Sequence, residues 1–255
     1  LTLPCLRLRL LCQTTKERNT VVSERIVFTG GDGMIGREMR KIMPQAIFLG
    51  HGELEITNRG SIESILGNLN PDLVVHLAAL TNLTTCENNK EYAYRVNVEG
   101  TRNIALASPN IMYWCSDYIH DGKKGNYSEH DIPTPLSYYG WTKYLGSLEA
   151  RKCRGKSVVV ITSVKPRPYK HPVVPRGMYS SGGYVDDMAK EFKLAIEHFQ
   201  YLPETINIGL EKRLLSELAE ETRKVKLIDI ADVPVPVPLD SSLDVTTWKR
   251  IKARL

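Results

Sequence analysis

Apolar and polar positions along this chain come in blocks whose period keeps changing. Residues 25–29 (RIVFT) form a short apolar run that breaks into GGDGMIG. REMRKIM then carries helical spacing until Pro44 stops it. AIFL at 46–49 predicts a second strand, and SIESILGNL at 61–69 predicts a helix opened by a Ser cap. After the Asn70-Pro71 turn, DLVVHLAAL is a continuous apolar run of the kind that parallel sheets bury on both faces. Residues 87–107 read as a helix, IMYW (111–114) as a strand, and 117–137 as a loop rich in Gly, Asp, His and Pro. SYYGWTKYLGSLEARK predicts a further helix and SVVVIT (157–162) a further strand. This alternation predicts an α/β fold, a Rossmann doubly wound parallel sheet.

The pattern changes at residue 165, where KPRPYKHPVVPRGMYSSGG is a Pro-rich loop. A helix at 184–199 and shorter elements follow, with PVPVP at 234–238. Three segments are therefore expected. Residues 1–24 read as a leader, disordered or foreign to the fold; 25–164 as a dinucleotide-binding Rossmann domain; and 165–255 as a small substrate lobe partly interwoven with the sheet.

Charge changes this picture little. The 255 residues carry a formal +5, which suggests a polyanionic partner until its location is traced. The tail holds Lys249, Arg250, Lys252 and Arg254, the first 24 residues hold a net +2, and residues 25–248 sum to −1. Nucleic acid is therefore not the expected partner, and the basic tail reads as a helix C-terminus favoured by its dipole. Five cysteines without a CxxC pair predict reduced thiols in a cytoplasmic protein. No apolar run reaches the roughly 18–20 residues that a membrane helix needs, and no His/Asp/Glu spacing suggests a metal site.

Two constellations carry candidate chemistry. Glycines 30, 33 and 36 lie between a predicted strand and helix. Gly30 permits the tight turn, Gly33 lets backbone approach a pyrophosphate, and Gly36 lets the helix pack closely. Met34 and Ile35 open a helix whose N–H groups favour phosphate. The tip of the second strand has no acid before Glu53, and His51, with Arg37, is placed to meet a 2′-phosphate or simply to face water. The reading leans to NADP, with NAD tolerated. The second constellation is Tyr139 and Lys143, one helical turn apart and so on one face. A nearby ammonium would lower the phenol's pKa and fit Tyr139 to proton transfer, while Ser116 after the IMYW strand would polarise a carbonyl oxygen.

Together with VVHLAA and Arg95-Val96-Asn97-Val98-Glu99-Gly100-Thr101, these motifs resemble the extended short-chain dehydrogenase/reductases. Three segments are similar to the dTDP-4-dehydrorhamnose reductase branch: Ala78-Ala79-Leu80-Thr81 running on to Cys86-Glu87, Cys115-Ser116-Asp117-Tyr118-Ile119-His120-Asp121-Gly122, and Tyr139-Gly140-x-Thr142-Lys143-x-x-Gly146. The resemblance implies that Ser116, Tyr139 and Lys143 are catalytic and that Asn97 supports the lysine side. It also implies that Ala78 and Ala79, with Tyr139 and Lys143, touch the cofactor, while Thr81, Asp117 and Tyr118 face a nucleotide sugar. Asn97 as a helix-break cap and Asp117 as a loop-closing group stay open beside these roles. Cys115 and His120 flank the site, but Cys115 and Ser116 should point to opposite faces of their strand. His76 and His130 read as structural or exposed.

The implied activity is NAD(P)H-dependent reduction of a 4-keto-deoxysugar nucleotide, as in dTDP-rhamnose biosynthesis. The part from residue 25 on is compact for the family, and Ser147 replaces the glutamate that usually follows Gly146, so two alternatives stay open. One is a non-catalytic regulatory subunit like methionine adenosyltransferase β; the other is a sugar-nucleotide epimerase. Dehydration is disfavoured, because Asp117-Tyr118 lacks the second carboxylate. A homodimer is compatible with the resemblance.

Overall fold

The computed structural model describes residues 25–255. The expectation for residues 1–24 lies outside the described residues.

Six strands form one parallel sheet: β1 Ile26–Thr29, β2 Ile47–Leu49, β3 Leu73–His76, β4 Ile111–Trp114, β5 Ser157–Ile161 and β6 Thr205–Asn207. Their order is β6-β5-β4-β3-β1-β2, with every pair parallel. The chain runs outward from β1 to β2, then returns to place β3 on the other side of β1. That reversal opens a crevice at the carboxyl ends of β1 and β3, where sheets of this kind bind ligands.

Strand residues alternate between two cores. Ile26, Phe28, Leu73, Val75, Met112, Trp114, Val158 and Val160 face one cluster. Helices α1 (Met34–Ile42) and α7 (Val185–Glu197) cover it, joined by Trp248 from α9 (Thr246–Lys252). Val27, Val74, Tyr113, Cys115 and Val159 face the other cluster. There α2 (Arg59–Leu69), α5 (Thr101–Ala107) and α6 (Tyr138–Ala150) close the layer. A third, smaller cluster around Tyr169, Met178, Tyr184 and Leu218 sits under the 165–240 segment. Segment 165–255 thus supplies β6, α7 and α9 to the main layers as well as this small cluster, with α8 (Leu215–Glu220) and three short strand pairs around it.

Two expected elements differ in detail. Helix α2 starts at Arg59, capped by the Asn58 side chain accepting from the Ser61 amide, rather than by a serine. Asn is as good a cap as Ser, and it sits one position before the helix begins. The single helix expected over 87–107 is four pieces: α3 (Leu83–Asn88), α4 (Lys90–Tyr94), a π-helical segment Arg95–Gly100, and α5. Asn89 breaks the run by capping Tyr92 with its own side chain, and the π segment shifts Asn97 inward. The basic residues of the tail fall in the last turn of α9, where the helix dipole favours them.

Candidate functional site

The crevice between β1 and β3 holds a cavity of ≈ 400 Å³. Gly30, Gly33, Met34, Ile35 and Gly36 form its floor, Ala78, Ala79 and Thr81 one wall, and His51 and Glu55 its outer rim. Gly30 has φ +68, and a Cβ there would lie 2.7 Å from the Ala78 nitrogen. At Gly36 a Cβ would lie 2.6 Å from the Gly30 carbonyl oxygen. Both glycines are therefore required by space, and they bring the N-terminus of α1 against the turn. Gly33 caps α1 without a side-chain bond, which leaves the first-turn amides of the helix to a ligand. This is a cradle that fits the phosphates of a dinucleotide.

A buried network holds the cavity wall. Thr29 Oγ1 accepts from the Ala78 amide at 3.2 Å and bonds His76 Nδ1 at 2.7 Å. His76 Nε2 meets Thr101 Oγ1 at 3.1 Å, and that hydroxyl donates to the Asn97 carbonyl at 2.8 Å. The roles are then determined: Thr29 donates to Nδ1, and Nε2–H donates to Thr101. His76 is fully buried, and burial, reinforced by the charge of Lys143, pushes its pKa down to about 3. It is structural, and His130 is exposed.

The Asn97 side chain does not bond Lys143. Its Oδ1 accepts from the Leu80 amide at 2.7 Å, and its Nδ2 donates to the Leu80 carbonyl at 3.0 Å and to Thr142 Oγ1 at 2.9 Å. It therefore links the cavity wall to α6 beside the lysine. The residues it holds, Leu80 and Thr142, were not singled out in the sequence as its partners.

Helix α6 carries Tyr139 and Lys143. Ser137 caps it at the Gly140 amide, and Glu87 Oε1 accepts from the Tyr138 amide at 2.6 Å. That bond accounts physically for the Ala-Ala-x-Thr…Glu motif, because the glutamate fixes the start of the helix. Tyr139 is half-buried. Burial pushes its phenol above the usual value, and hydrogen bonding with Ser116 works against that. The expected lowering by Lys143 does not occur. The lysine is 4% exposed, and its Nζ lies 4.3 Å from the centroid of the Tyr113 ring. Burial lowers its pKa to about 8. Neither Tyr139 nor Lys143 lines the glycine-floored cavity.

Ser116, two residues past β4, caps the short 3-10 turn Asp117–Ile119 and accepts from the Tyr118 amide at 3.2 Å. Its neighbour Cys115 points the other way, to the Lys143 carbonyl, as strand alternation requires. Burial raises the Cys115 thiol to about 11. Asp117 is 2% exposed, and its Oδ2 accepts from Ser241 at 2.6 Å, 124 positions along the chain. Burial raises its pKa, while Lys165, Ser241, Ser163 and Ser116 lower it. Ser163, Lys165 and Ser241 carried no motif in the sequence. Tyr118 places its ring edge-on to Tyr139, with centroids 6.4 Å apart. His120 is buried and stacked on Tyr127 at 4.1 Å, rather than paired with Cys115. His51 is 80% exposed and turns toward Glu55 at 3.4 Å. Among the described residues no group of three or more His, Cys, Asp and Glu side chains converges.

A parallel doubly wound sheet with a glycine-floored crevice and a Ser–Tyr–Lys set beside it defines the Rossmann class of nucleotide-binding proteins. The family model for the RmlD substrate binding domain matches residues 24–165, and the chain belongs to that family. A dTDP-4-dehydrorhamnose reductase from Aggregatibacter actinomycetemcomitans is 33% identical over 149 residues, 54% of this chain and 51% of that protein. Methionine adenosyltransferase 2 subunit beta from Bos taurus is 29% identical over 150 residues, 53% of this chain and 45% of that one. The chain thus spans about half the length of the curated relatives it matches. Among solved structures, dTDP-4-dehydrorhamnose reductase from Bacillus anthracis in complex with NADP superposes with TM-score 0.78 at 22% identity, covering 90% of this chain and 92% of that one. A hypothetical dTDP-4-dehydrorhamnose reductase from Sulfolobus tokodaii gives TM-score 0.78 at 27% identity, covering 89% and 94%. The likeness in fold therefore extends through the last third of the chain.

Proposed function

We propose that this protein is an NAD(P)H-dependent reductase of a 4-keto-deoxysugar nucleotide, of the dTDP-4-dehydrorhamnose reductase type. The observation that carries the reading is the hydrogen bonding of Ser116, just past β4, with Tyr139 on α6, the buried Lys143 one turn further along that helix, and Asn97 fastening the cavity wall to the same helix. NADP, or NAD in its place, is the dinucleotide for the glycine-floored cradle, with Gly30, Gly33, Gly36, Ala78 and Ala79 against it. When bound, its nicotinamide supplies hydride to the keto carbon.

The chain's own residues do the rest. Tyr139, kept protonated by burial, donates its proton to the carbonyl oxygen as negative charge develops there. Transfer is downhill, because the alkoxide formed is a stronger base than a phenolate. Ser116 donates a hydrogen bond to the same oxygen. Lys143 keeps a positive charge below the site at neutral pH, and Asn97 holds α6 in register with the cofactor wall. Tyr118 faces the sugar from the β4 end, with Thr81 opposite, while Asp117, buried and held by Ser241 and Ser116, closes the loop behind it.

The test is to incubate purified protein with NADPH or NADH and dTDP-4-dehydrorhamnose and follow nicotinamide absorbance. Oxidation that stops when the keto sugar is consumed supports the reading; no oxidation with either dinucleotide overturns it. The similarity to methionine adenosyltransferase 2 subunit beta favours a second reading, a dinucleotide-binding regulatory subunit. It requires cofactor binding without turnover, together with co-purification of a catalytic partner.

A further inference from the structure

In sheets of this type, an acid at the end of the second strand, about 20 residues past the first glycine, bonds the adenosine ribose 2′-hydroxyl and repels a 2′-phosphate. The corresponding residue here, directly after β2, is Gly50. It has no side chain, but the place is filled. A Cβ built on Gly50 would lie 1.8 Å from Asp32 Oδ2, so the carboxylate of Asp32, inside the glycine turn, occupies the space a residue-50 side chain would take. Asp32 lines the cofactor cavity.

The surrounding charges fit this placement. Arg40, in the last turn of α1, brings its Nη2 to 3.9 Å from Asp32 Oδ1 and lies 5.3 Å above the Phe48 ring of β2. Both members of the pair are largely exposed, so the contact is weak and the guanidinium can leave it. His51 is turned to Glu55, and Glu53 accepts from the Gly50 amide at 2.7 Å. The cavity is thus lined by Asp32, His51 and Glu55, with Glu53 and Arg40 beside them and Arg37 exposed on α1.

We propose that Asp32 is the residue that sets the dinucleotide preference of this site. Its carboxylate takes the free 2′-hydroxyl in the place of the missing strand-end acid, and Arg40, its releasable counter-ion, is the group that admits a 2′-phosphate. His51 is not the discriminator. This rests on the dinucleotide reading above and deepens it.

The test measures equilibrium binding of NADH and of NADPH to the full chain by nicotinamide fluorescence, without sugar, for the parent, Asp32→Asn, Arg40→Gln and His51→Ala. Asp32→Asn should shift the ratio of the two affinities toward NADPH by about tenfold. Arg40→Gln should shift it toward NADH by about fivefold, and His51→Ala should leave it within about twofold. If Asp32→Asn binds both dinucleotides at the parental ratio, or His51→Ala moves the ratio more than Asp32→Asn does, the assignment is overturned while the dinucleotide site stands. If the parent binds neither dinucleotide, the underlying reading itself falls.

Discussion

A phenol that burial keeps protonated at neutral pH can serve as a proton donor, which is the state the proposed reductive role of Tyr139 requires. On the proposed mechanism, the buried ammonium of Lys143 should set the upper limit of the working pH. Its pKa of about 8 lies below the usual lysine value, so it is charged at neutral pH and loses its proton as pH rises through about 8. If the charged form supports turnover, kcat/KM should fall above about pH 8, and Lys143→Arg should move that limb upward. A pH–rate profile that stays flat to pH 10 would dissociate the lysine charge from turnover. Among the residues proposed for the site, Ser116, Tyr139 and Lys143 were legible because each sits in a short motif of fixed order. Asp32 was not, since a turn residue reaches its place only after β1 and β2 are laid side by side. Ser163, Lys165 and Ser241 were hidden for the same reason, because their neighbour Asp117 is brought to them by tertiary contacts from far along the chain.

At the scale of elements, the break of the 87–107 helix does structural work that periodicity could not reveal. A single α-helix would keep Asn97 in regular register; the π segment adds a residue to the turn and carries its amide to Leu80 and Thr142. Asn97→Ala leaves the half-buried Leu80 amide without its acceptor and leaves the Leu80 carbonyl only the weak Cys86 thiol as donor. It should cost about 1–3 kcal/mol of stability, read from urea unfolding, and should weaken dinucleotide binding by at least about fivefold. Asn97→Asp keeps the acceptor for the Leu80 amide and should recover part of the binding. Equal loss in both variants would mean that the amide only fills space. The strands and the glycine turn were readable because the apolar runs of a doubly buried sheet are continuous and the turn glycines are forced by contacts as close as 2.6 Å. The short strand pairs of residues 164–228 were not, because two- and three-residue strands leave no periodic signal.

For the molecule as a whole, two buried neutral histidines add to the loss of stability in acid that the paired carboxylates such as Asp131 and Glu149 also bring. His76 is lowered to about 3 and His120 to about 4, both mainly by burial. The unfolded chain takes up these protons near pH 6.5 and the folded chain does not. Their contribution is therefore fully present above about pH 6.5 and is lost as pH falls toward 4, at about 1.4 kcal/mol per pH unit for each histidine. Neither ring nitrogen of His120 has a hydrogen-bond partner. His120→Phe keeps the stack on Tyr127 and should raise stability at pH 5 more than at pH 7, measured as urea midpoints. An equal change at both pH values would show that His120 does not titrate on unfolding. No helix among the described residues is long and apolar enough to cross a membrane.

If Tyr139 delivers the proton in a nicotinamide-dependent reduction, removing its hydroxyl should stop turnover while leaving dinucleotide binding intact. Parent and Tyr139→Phe are each given NADPH and dTDP-4-dehydrorhamnose, with dinucleotide binding measured on the same samples. The parent should oxidise NADPH, and Tyr139→Phe should bind the dinucleotide as the parent does but turn over at least about 100-fold more slowly. Unchanged turnover in Tyr139→Phe, or a parent that binds NADPH and never oxidises it, would contradict that role.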